Sequence, residues 1–304
     1  MNKRNSLVLL VCTGLLSEAW PATSVAGESV EPRRPVHTYS IVARDAHSGE
    51  LGVAVQSHWF SVGSGVLWAA PGIGAVATQS FTDPSYGPLG LELMRAGKSA
   101  RQSLDALLAA DMHADVRQVG MVDASGTVAN HTGGKAIREY CAETGEGYSV
   151  QANLMWRPTV CAAMSNAYQA ARGDLAERLM AALEAAQAEG GDIRGRQSAA
   201  LLVVSGDRSE PAWGGRHFDL RVEDHAQPLV ELRRLLTLAR GYQRMNEGDE
   251  HFAGGDIDGA SAAYGAAAAL MPDNHETVFW HAVTLVAGGR EDDAMPLFTR
   301  AFEM

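Results

Sequence analysis

The order of strand-like and helix-like segments constrains the fold of this chain more than any other feature. Strand-like segments, short and rich in Val, Ile, Ala and Leu, come in groups, and helical segments come in pairs between the groups. The predicted strands cover 38–45, 50–57, 73–80, 118–132 as a hairpin, 147–155, 197–205 and 218–224, and the predicted helices cover 86–96, 99–110, 158–172 and 174–189.

Paired helices between groups of strands do not match the strict strand–helix alternation that produces a parallel sheet. The order instead predicts an α+β fold in which two antiparallel sheets pack face to face and helices cover both outer sides. This arrangement is a four-layer αββα sandwich, and we assign it to residues 37–228. Residues 229–304 carry no strand pattern and form a separate helical region.

The chain has 304 residues, of which 46% are hydrophobic and 20% are charged, so it can bury a sizeable core. Its formal net charge is −11, and its Arg-Arg pairs at 33–34 and 233–234 are isolated. Binding to a nucleic-acid backbone requires clustered Lys and Arg. The composition therefore argues against a nucleic-acid partner.

The N-terminus has the pattern of a secretory signal peptide. Lys3 and Arg4 precede a short apolar stretch at 7–16, and small residues at 24–26 suit a signal peptidase. We predict cleavage after Ala26, a mature tail at 27–36, and export to the periplasm or the medium. No later stretch has the roughly 18 uninterrupted apolar residues of a transmembrane helix, so no membrane span is predicted.

Two cysteines, Cys141 and Cys161, remain after removal of the signal peptide. An exported protein could join them in a disulfide, or both could be buried thiols, and the sequence leaves both readings open. The chain has no CxxC motif, and its ten histidines are scattered. We therefore predict neither a metal site nor a cofactor.

The helical region contains a repeat of 34 residues. Ala260, Tyr264 and Ala267 recur as Ala294, Phe298 and Ala301. The period and the small–aromatic–small spacing resemble the tetratricopeptide repeat, which implies a surface for a protein partner in 229–304. Two units are too few to stand alone, so we predict either that the repeats lean on the larger domain or that residues 229–245 form a helix that packs with them.

Polar side chains inside or directly after the predicted strands are the candidate site residues. They could line a cleft with hydrogen-bonding groups. Alternatively, they could form hydrogen bonds at strand edges and an ion pair within a turn. A Gly-rich loop at 190–195 places an acidic residue, Asp192, and a basic residue, Arg194, in one turn. The candidates for substrate binding or catalysis are Gln56, Ser57, His58, Gln79, Asp192, Arg194, Gln197, Ser198 and His225.

Several segments, in order over about residues 37–240, resemble the bacterial domain-of-unknown-function family 1028. They read "TYSIVARD", "GELGVAVQSHWFSVG", "GAVATQSFTDPSYGPLGLELM", "GEGYSVQANLM", "GGDIRGRQSAALLVV" and "DLRVEDHAQPLVELRRLL". The resemblance implies the fold of N-terminal-nucleophile hydrolases, which is the sandwich inferred above. In that superfamily the first residue of the processed chain attacks an amide, and its own α-amine is the base.

Thr38 matches the position of this nucleophile. In this chain the signal peptide and residues 27–37 precede it, so Thr38 gains an α-amine only if the His37–Thr38 bond is cut. Asp192 and Arg194 would then pair with the substrate or with the amine.

Two functions remain open. The first is an exported amide hydrolase that acts on a small molecule or a peptide. The second is a catalytically inactive ligand-binding domain with a protein-interaction tail. The sequence does not define the substrate or the oligomeric state, and a homo-oligomer is compatible with it.

Overall fold

The computed structural model describes residues 37–211 and 213–304. The predicted signal peptide and the predicted tail at 27–36 lie outside the described residues. None of the helices in the described part combines the length and the apolar character that a membrane span requires.

Ten strands form two antiparallel sheets in the described ranges. The six-stranded sheet has the order β10-β9-β2-β1-β8-β7, and the four-stranded sheet has the order β3-β4-β5-β6. The strands are β1 Thr38–Arg44, β2 Leu51–Ser57, β3 Leu67–Ala70, β4 Gly74–Ser80, β5 Arg117–Asp123, β6 Val128–Thr132, β7 Cys141–Gly145, β8 Tyr148–Ala152, β9 Ser198–Val204 and β10 Arg216–Val222.

The α-helices are α1 Gly63–Val66, α2 Tyr86–Arg95, α3 Ala100–Ala110, α4 Val160–Ala170, α5 Leu175–Ala188, α6 Pro228–Ala253, α7 Ile257–Leu270, α8 His275–Ala287 and α9 Glu291–Glu303. The two predicted helix pairs are present as α2 with α3 and α4 with α5, whereas the short helix α1 was not predicted. A short 3-10 helix, Ala114–Val116, precedes β5. The antiparallel α+β architecture predicted from the order of segments is thus present.

Two hairpins, β1–β2 and β5–β6, have similar turns between their strands. Asp45 Oδ1 accepts hydrogen bonds from the backbone N–H groups of His47 and Ser48, and Gly49 closes the turn at φ +76°. Asp123 and Gly126, with φ +88°, repeat this arrangement between β5 and β6. An Asp side chain that binds backbone N–H groups and a glycine at positive φ fix both turns.

Alternation along β1 separates two apolar layers. Tyr39, Ile41 and Ala43 face α4 and α5, whereas Val42 faces the four-stranded sheet. A third apolar cluster joins the four-stranded sheet to α2 and α3. Because successive strand residues point to opposite faces, each sheet packs against helices on one face and against the other sheet on the other face. The order of layers is therefore helix, sheet, sheet and helix.

A disulfide joins Cys141 to Cys161, with a distance of 5.9 Å between the two Cα atoms. It ties the edge strand β7 to α4. The structure thus settles the choice, left open by the sequence, between a disulfide and two free thiols.

We expect reduction of this disulfide to lower the free energy of unfolding by about 3 kcal/mol, because the bond closes a loop with a sequence separation of 20 residues in the unfolded chain. Urea unfolding of the oxidised and the reduced wild type measures the difference. A Cys141→Ala/Cys161→Ala variant should not respond to reductant. Equal unfolding midpoints for the oxidised and reduced wild type would contradict this prediction.

The long helix α6 belongs to both parts of the chain. Leu229, Leu232 and Leu236 in its first half lie in the apolar cluster beneath the six-stranded sheet. Met245 in its second half packs with α7. The first half of α6 therefore packs as a helix against the larger domain, and the helix begins at Pro228, at the predicted boundary.

The 34-residue repeat falls on equivalent positions of α7 and α9. Ala260 and Ala294 are both fully buried, and Tyr264 and Phe298 pack in the clusters around them. Gly255 and Gly289 precede the two helices with φ values of +80° and +73°. The small residue allows close helix approach in each unit.

Candidate functional site

A row of polar side chains crosses one end of the six-stranded sheet. Thr38 on β1 is opposite Ser57 on β2, and Ser57 is opposite Ser198 on β9. On the other side of Thr38, the Asn153 backbone N–H donates to the Thr38 carbonyl oxygen at 3.0 Å. All four residues are fully buried, and their places in the strand alternation put their side chains between the two sheets.

The carbonyl oxygen of His37 accepts two hydrogen bonds from side chains. Ser57 Oγ donates one, and Arg194 Nη2 donates the other at 3.2 Å. This oxygen belongs to the peptide bond between His37 and Thr38. Two donors on one carbonyl oxygen are the arrangement that stabilises negative charge when an acyl group is attacked.

Arg194 is held in place by Asp192. The guanidinium donates to both carboxylate oxygens, at 3.1 Å from Nε and 2.6 Å from Nη2. Asp192 is buried, and it also accepts from the backbone N–H groups of His58 and Arg194. A two-point pair of this kind restricts the planar guanidinium to one orientation. Asp192 therefore positions the donor that contacts the His37 carbonyl.

Gln56 lies on the opposite face of β2 from Ser57. It is buried on the helix side, where it accepts a hydrogen bond from the Tyr39 hydroxyl. Gln187 of α5 lies 3.1 Å from the same hydroxyl. Burial, and next the carboxylate of Asp192, raise the pKa of Tyr39 well above its usual range, so this phenol stays neutral.

A fully buried polar cluster continues from Thr38 into the space between the sheets. Its members, which we call the inter-sheet polar cluster, are Ser40, Gln79, Gln118, Ser149, Gln151 and Asn153. Gln79 Nε2 donates to Gln118 Oε1 at 2.7 Å and to the Thr38 carbonyl at 3.2 Å. Gln151 Nε2 donates to Ser40 Oγ at 2.6 Å. The cluster thereby fixes the start of β1 against the second sheet.

Gln79 was predicted at the site, and the structure places it beneath Thr38 within this cluster. Three further members, Gln118, Gln151 and Asn153, were not singled out from the sequence. Each is a polar residue at an inward position of an otherwise apolar segment, and that alternation is the signal that could have identified them.

Three of the remaining candidates lie at the rim of the site. The Gln197 side chain donates to Asp224 at 3.1 Å, and the His225 backbone N–H donates to the Gln197 carbonyl. His58 is half-buried beside Asp192, and its Nδ1 atom has no hydrogen-bond partner within the described part of the chain. Of these three residues, His58 contacts the Asp192–Arg194 turn, since its backbone N–H donates to Asp192 Oδ2 at 3.2 Å.

Ser198 has a different role from Ser57 although the two face each other. Its hydroxyl donates to the Trp59 carbonyl and accepts from the Val62 backbone N–H at 3.1 Å. It therefore holds the loop after β2 and is not bound to the His37 carbonyl.

Within residues 37–211 and 213–304, no group of three or more His, Cys, Asp or Glu side chains is arranged to hold a metal ion.

These features define an α+β protein with two stacked antiparallel sheets and a polar site at the start of the first strand. The chain belongs to the family of unknown function DUF1028, whose model matches residues 38–232.

The crystal structure of protein SPO2555 from Silicibacter pomeroyi, assigned to the same family, is similar, with a TM-score of 0.59 and 28% sequence identity. The match covers 67% of this chain and 89% of that one. A comparison with curated proteins finds no match.

Proposed function

We propose that this protein is an amide hydrolase of the N-terminal-nucleophile type, acting on a small molecule or a peptide, with Thr38 as its nucleophile. The observation that carries the proposal is the pair of donors on the His37 carbonyl oxygen, Ser57 Oγ and Arg194 Nη2. The helix–sheet–sheet–helix layering and the position of Thr38 at the start of β1 agree with that type of enzyme.

The same two donors suit a first reaction in which the chain cuts itself. The Thr38 hydroxyl adds to the His37 carbonyl carbon, and Ser57 and Arg194 stabilise the negative charge on the oxygen. The C–N bond then breaks, the nitrogen takes a proton, and an ester joins His37 to Thr38 Oγ. Water hydrolyses the ester, which leaves a carboxylate on His37 and a free α-amine on Thr38.

In the released chain the α-amine acts as the base. Its ordinary pKa, about 8, suits transfer of the hydroxyl proton near neutral pH. Thr38 Oγ attacks the substrate carbonyl, whose oxygen takes the place of the His37 oxygen between Ser57 and Arg194. The leaving amine receives the proton, and water then hydrolyses the acyl ester. Asp192 maintains the position of Arg194 in both reactions.

We further propose that the protein is exported and that α6–α9 form a tetratricopeptide-like surface for a protein partner. The disulfide between Cys141 and Cys161 supports export, because such bonds persist in oxidising compartments. The equivalent positions of Tyr264 and Phe298 in α7 and α9 support the repeat.

N-terminal sequencing of the protein recovered from its native compartment tests the hydrolase proposal. We expect the mature chain to begin at Thr38. A homogeneous start at Gly27 in a preparation that hydrolyses amides would exclude the α-amine mechanism.

The second candidate is an inactive ligand-binding domain. The complete burial of Thr38 and Ser57, together with the internal pairing of the inter-sheet polar cluster, favours it. A start at Gly27 with no amide hydrolysis, and a ligand affinity that Thr38→Ala leaves unchanged, would select this candidate.

A further inference from the structure

The inter-sheet polar cluster leaves one buried acceptor without a donor. Asn153 is fully buried, its Nδ2 donates to Gln118 Oε1 at 2.9 Å, and its Oδ1 has no hydrogen-bond partner among the described residues. A buried oxygen without a donor costs free energy, and such groups are rare in folded proteins. This atom therefore requires an explanation.

The orientation of the Asn153 amide is determined by its neighbours. Gln118 Nε2 donates to the backbone carbonyls of Cys141 and Ala152, at 3.3 and 3.1 Å, and a carbonyl oxygen can only accept. The atom that Gln118 turns toward Asn153 must therefore be its oxygen. Exchanging the nitrogen and oxygen of Asn153 would oppose two acceptors, so the unpaired atom is Oδ1.

Asn153 lies directly beside the proposed nucleophile. Tyr39 pairs with Ala152 in the β1–β8 register, and the Asn153 N–H donates to the Thr38 carbonyl, so Asn153 is opposite Thr38. Opposed residues on one face have Cβ atoms about 4.5–5.5 Å apart. The contact with Gln118 shows that the Asn153 side chain points between the sheets, which is also the face of Thr38.

We propose that Asn153 Oδ1 accepts an N–H of the Thr38 α-amino group once the His37–Thr38 bond has been cut. The proposal rests on the proposed function. Before cleavage the Thr38 nitrogen is an amide with one N–H. The freed amine carries two or three hydrogens, depending on protonation, and so offers additional donors next to Asn153 Oδ1. A hydrogen bond to the charged amine favours its protonated form and holds the base in one place. Asn153 is thus a positioning residue for the catalytic amine.

Nuclear magnetic resonance of the wild-type protein provides the first test. With 15N-labelled threonine and asparagine, the pH titration of the Thr38 α-amine and of the Asn153 side-chain amide can be followed together. We expect the Asn153 signal to titrate with the same midpoint as the amine, while the signal of Asn130 stays constant. Asn130 is the matched control, because its amide donates to Ser149 and Gln151 at the far end of the cluster. An Asn153 signal that does not change through the titration of the amine would overturn the proposal.

The second test is the variant Asn153→Leu, which removes the acceptor and leaves Gln118 Oε1 paired with Gln79. We expect the pKa of the Thr38 amine to fall by about one unit, because its charged form loses a hydrogen bond. Asn130→Leu should leave this pKa unchanged. Equal amine pKa values in both variants and the wild type would refute the role of Asn153 and leave the proposed function standing. Absence of any Thr38 amine in the wild type would refute both.

Discussion

Replacing Ser57 by alanine is expected to slow cleavage of the His37–Thr38 bond by about 100- to 1000-fold, because it removes one of the two donors on the carbonyl oxygen that becomes negative. Thr38→Ala should abolish cleavage, since no hydroxyl is left to attack. Intact-mass measurements over time after expression, with N-terminal sequencing of each species, report the cleaved fraction.

Ser198→Ala is the matched control for Ser57→Ala. Ser198 is opposite Ser57, is equally buried and carries the same hydroxyl, but it donates to Trp59 and not to His37. We expect its cleavage rate to stay close to that of the wild type. If Ser57→Ala and Ser198→Ala cleave equally fast, the hydrogen bond from Ser57 has no role in the reaction.

The largest effect on stability is expected at Arg117, whose side chain is fully buried in the sheet that faces α2 and α3. Its Nε donates to Asp111 at 2.7 Å, its Nη1 donates to the Phe81 carbonyl at 2.6 Å, and Asp83 lies 3.8 Å from Nη2. Arg117→Leu leaves both carboxylates buried without their counter-charge. We expect a loss of about 3–5 kcal/mol in the free energy of unfolding, measured by urea denaturation.

Arg95→Ala serves as the control, because Arg95 and Glu92 form an exposed ion pair at 3.2 Å that should contribute less than about 1 kcal/mol. A cost for Arg117→Leu as small as that for Arg95→Ala would contradict the assignment of Arg117 as a buried counter-charge.

The effect of Arg117→Leu should also depend on pH. Burial acts to raise the pKa of Asp111, but hydrogen bonds from Arg117 and the His113 backbone N–H outweigh it and hold this pKa below its usual value. A carboxyl with a lowered pKa stabilises the fold above its unfolded pKa, about 3.9, and loses that contribution as the pH falls through the folded value. The stability difference between the wild type and Arg117→Leu should therefore narrow below about pH 4.

Much of the secondary structure could be predicted because its signals are local. The hairpin of β1 and β2 follows from apolar strands around an Asp-to-Gly turn, and α3 begins where Ser99 and Gln102 form a capping box. The strands β3 and β7 were not predicted. β3 is apolar, with the sequence LWAA, but its four residues are too few to identify a strand, and β7 is an exposed edge strand whose sequence CAETG has no apolar pattern.

The candidate site was predictable only as a set of residues. Strand alternation implies that Gln56 and Ser57 point to opposite faces, but it does not say which face meets the second sheet. The sequence also offered an ion-paired turn as one reading of Asp192 and Arg194, and this pair is present, but the contact of Arg194 with the His37 carbonyl has no sequence signal. Alternation marks Gln118 and Asn153 as inward-facing amides, but it does not show that the two side chains meet, because they lie 35 positions apart in the chain.

By itself, the sequence determined most strands and helices of residues 37–228, the hairpin turns, the 34-residue repeat and Thr38 as the first residue of the first strand. Each of these depends on neighbours within a few positions or on a regular period. Only the tertiary structure decided that Ser57 and Arg194 meet at the carbonyl of His37. Arg194 is 157 positions from His37 in the chain, and Asp192 is 134 positions from His58, whose backbone N–H donates to its carboxylate. Contacts across such separations arise from the packing of β1, β2 and the 190–195 loop, and no local pattern encodes them.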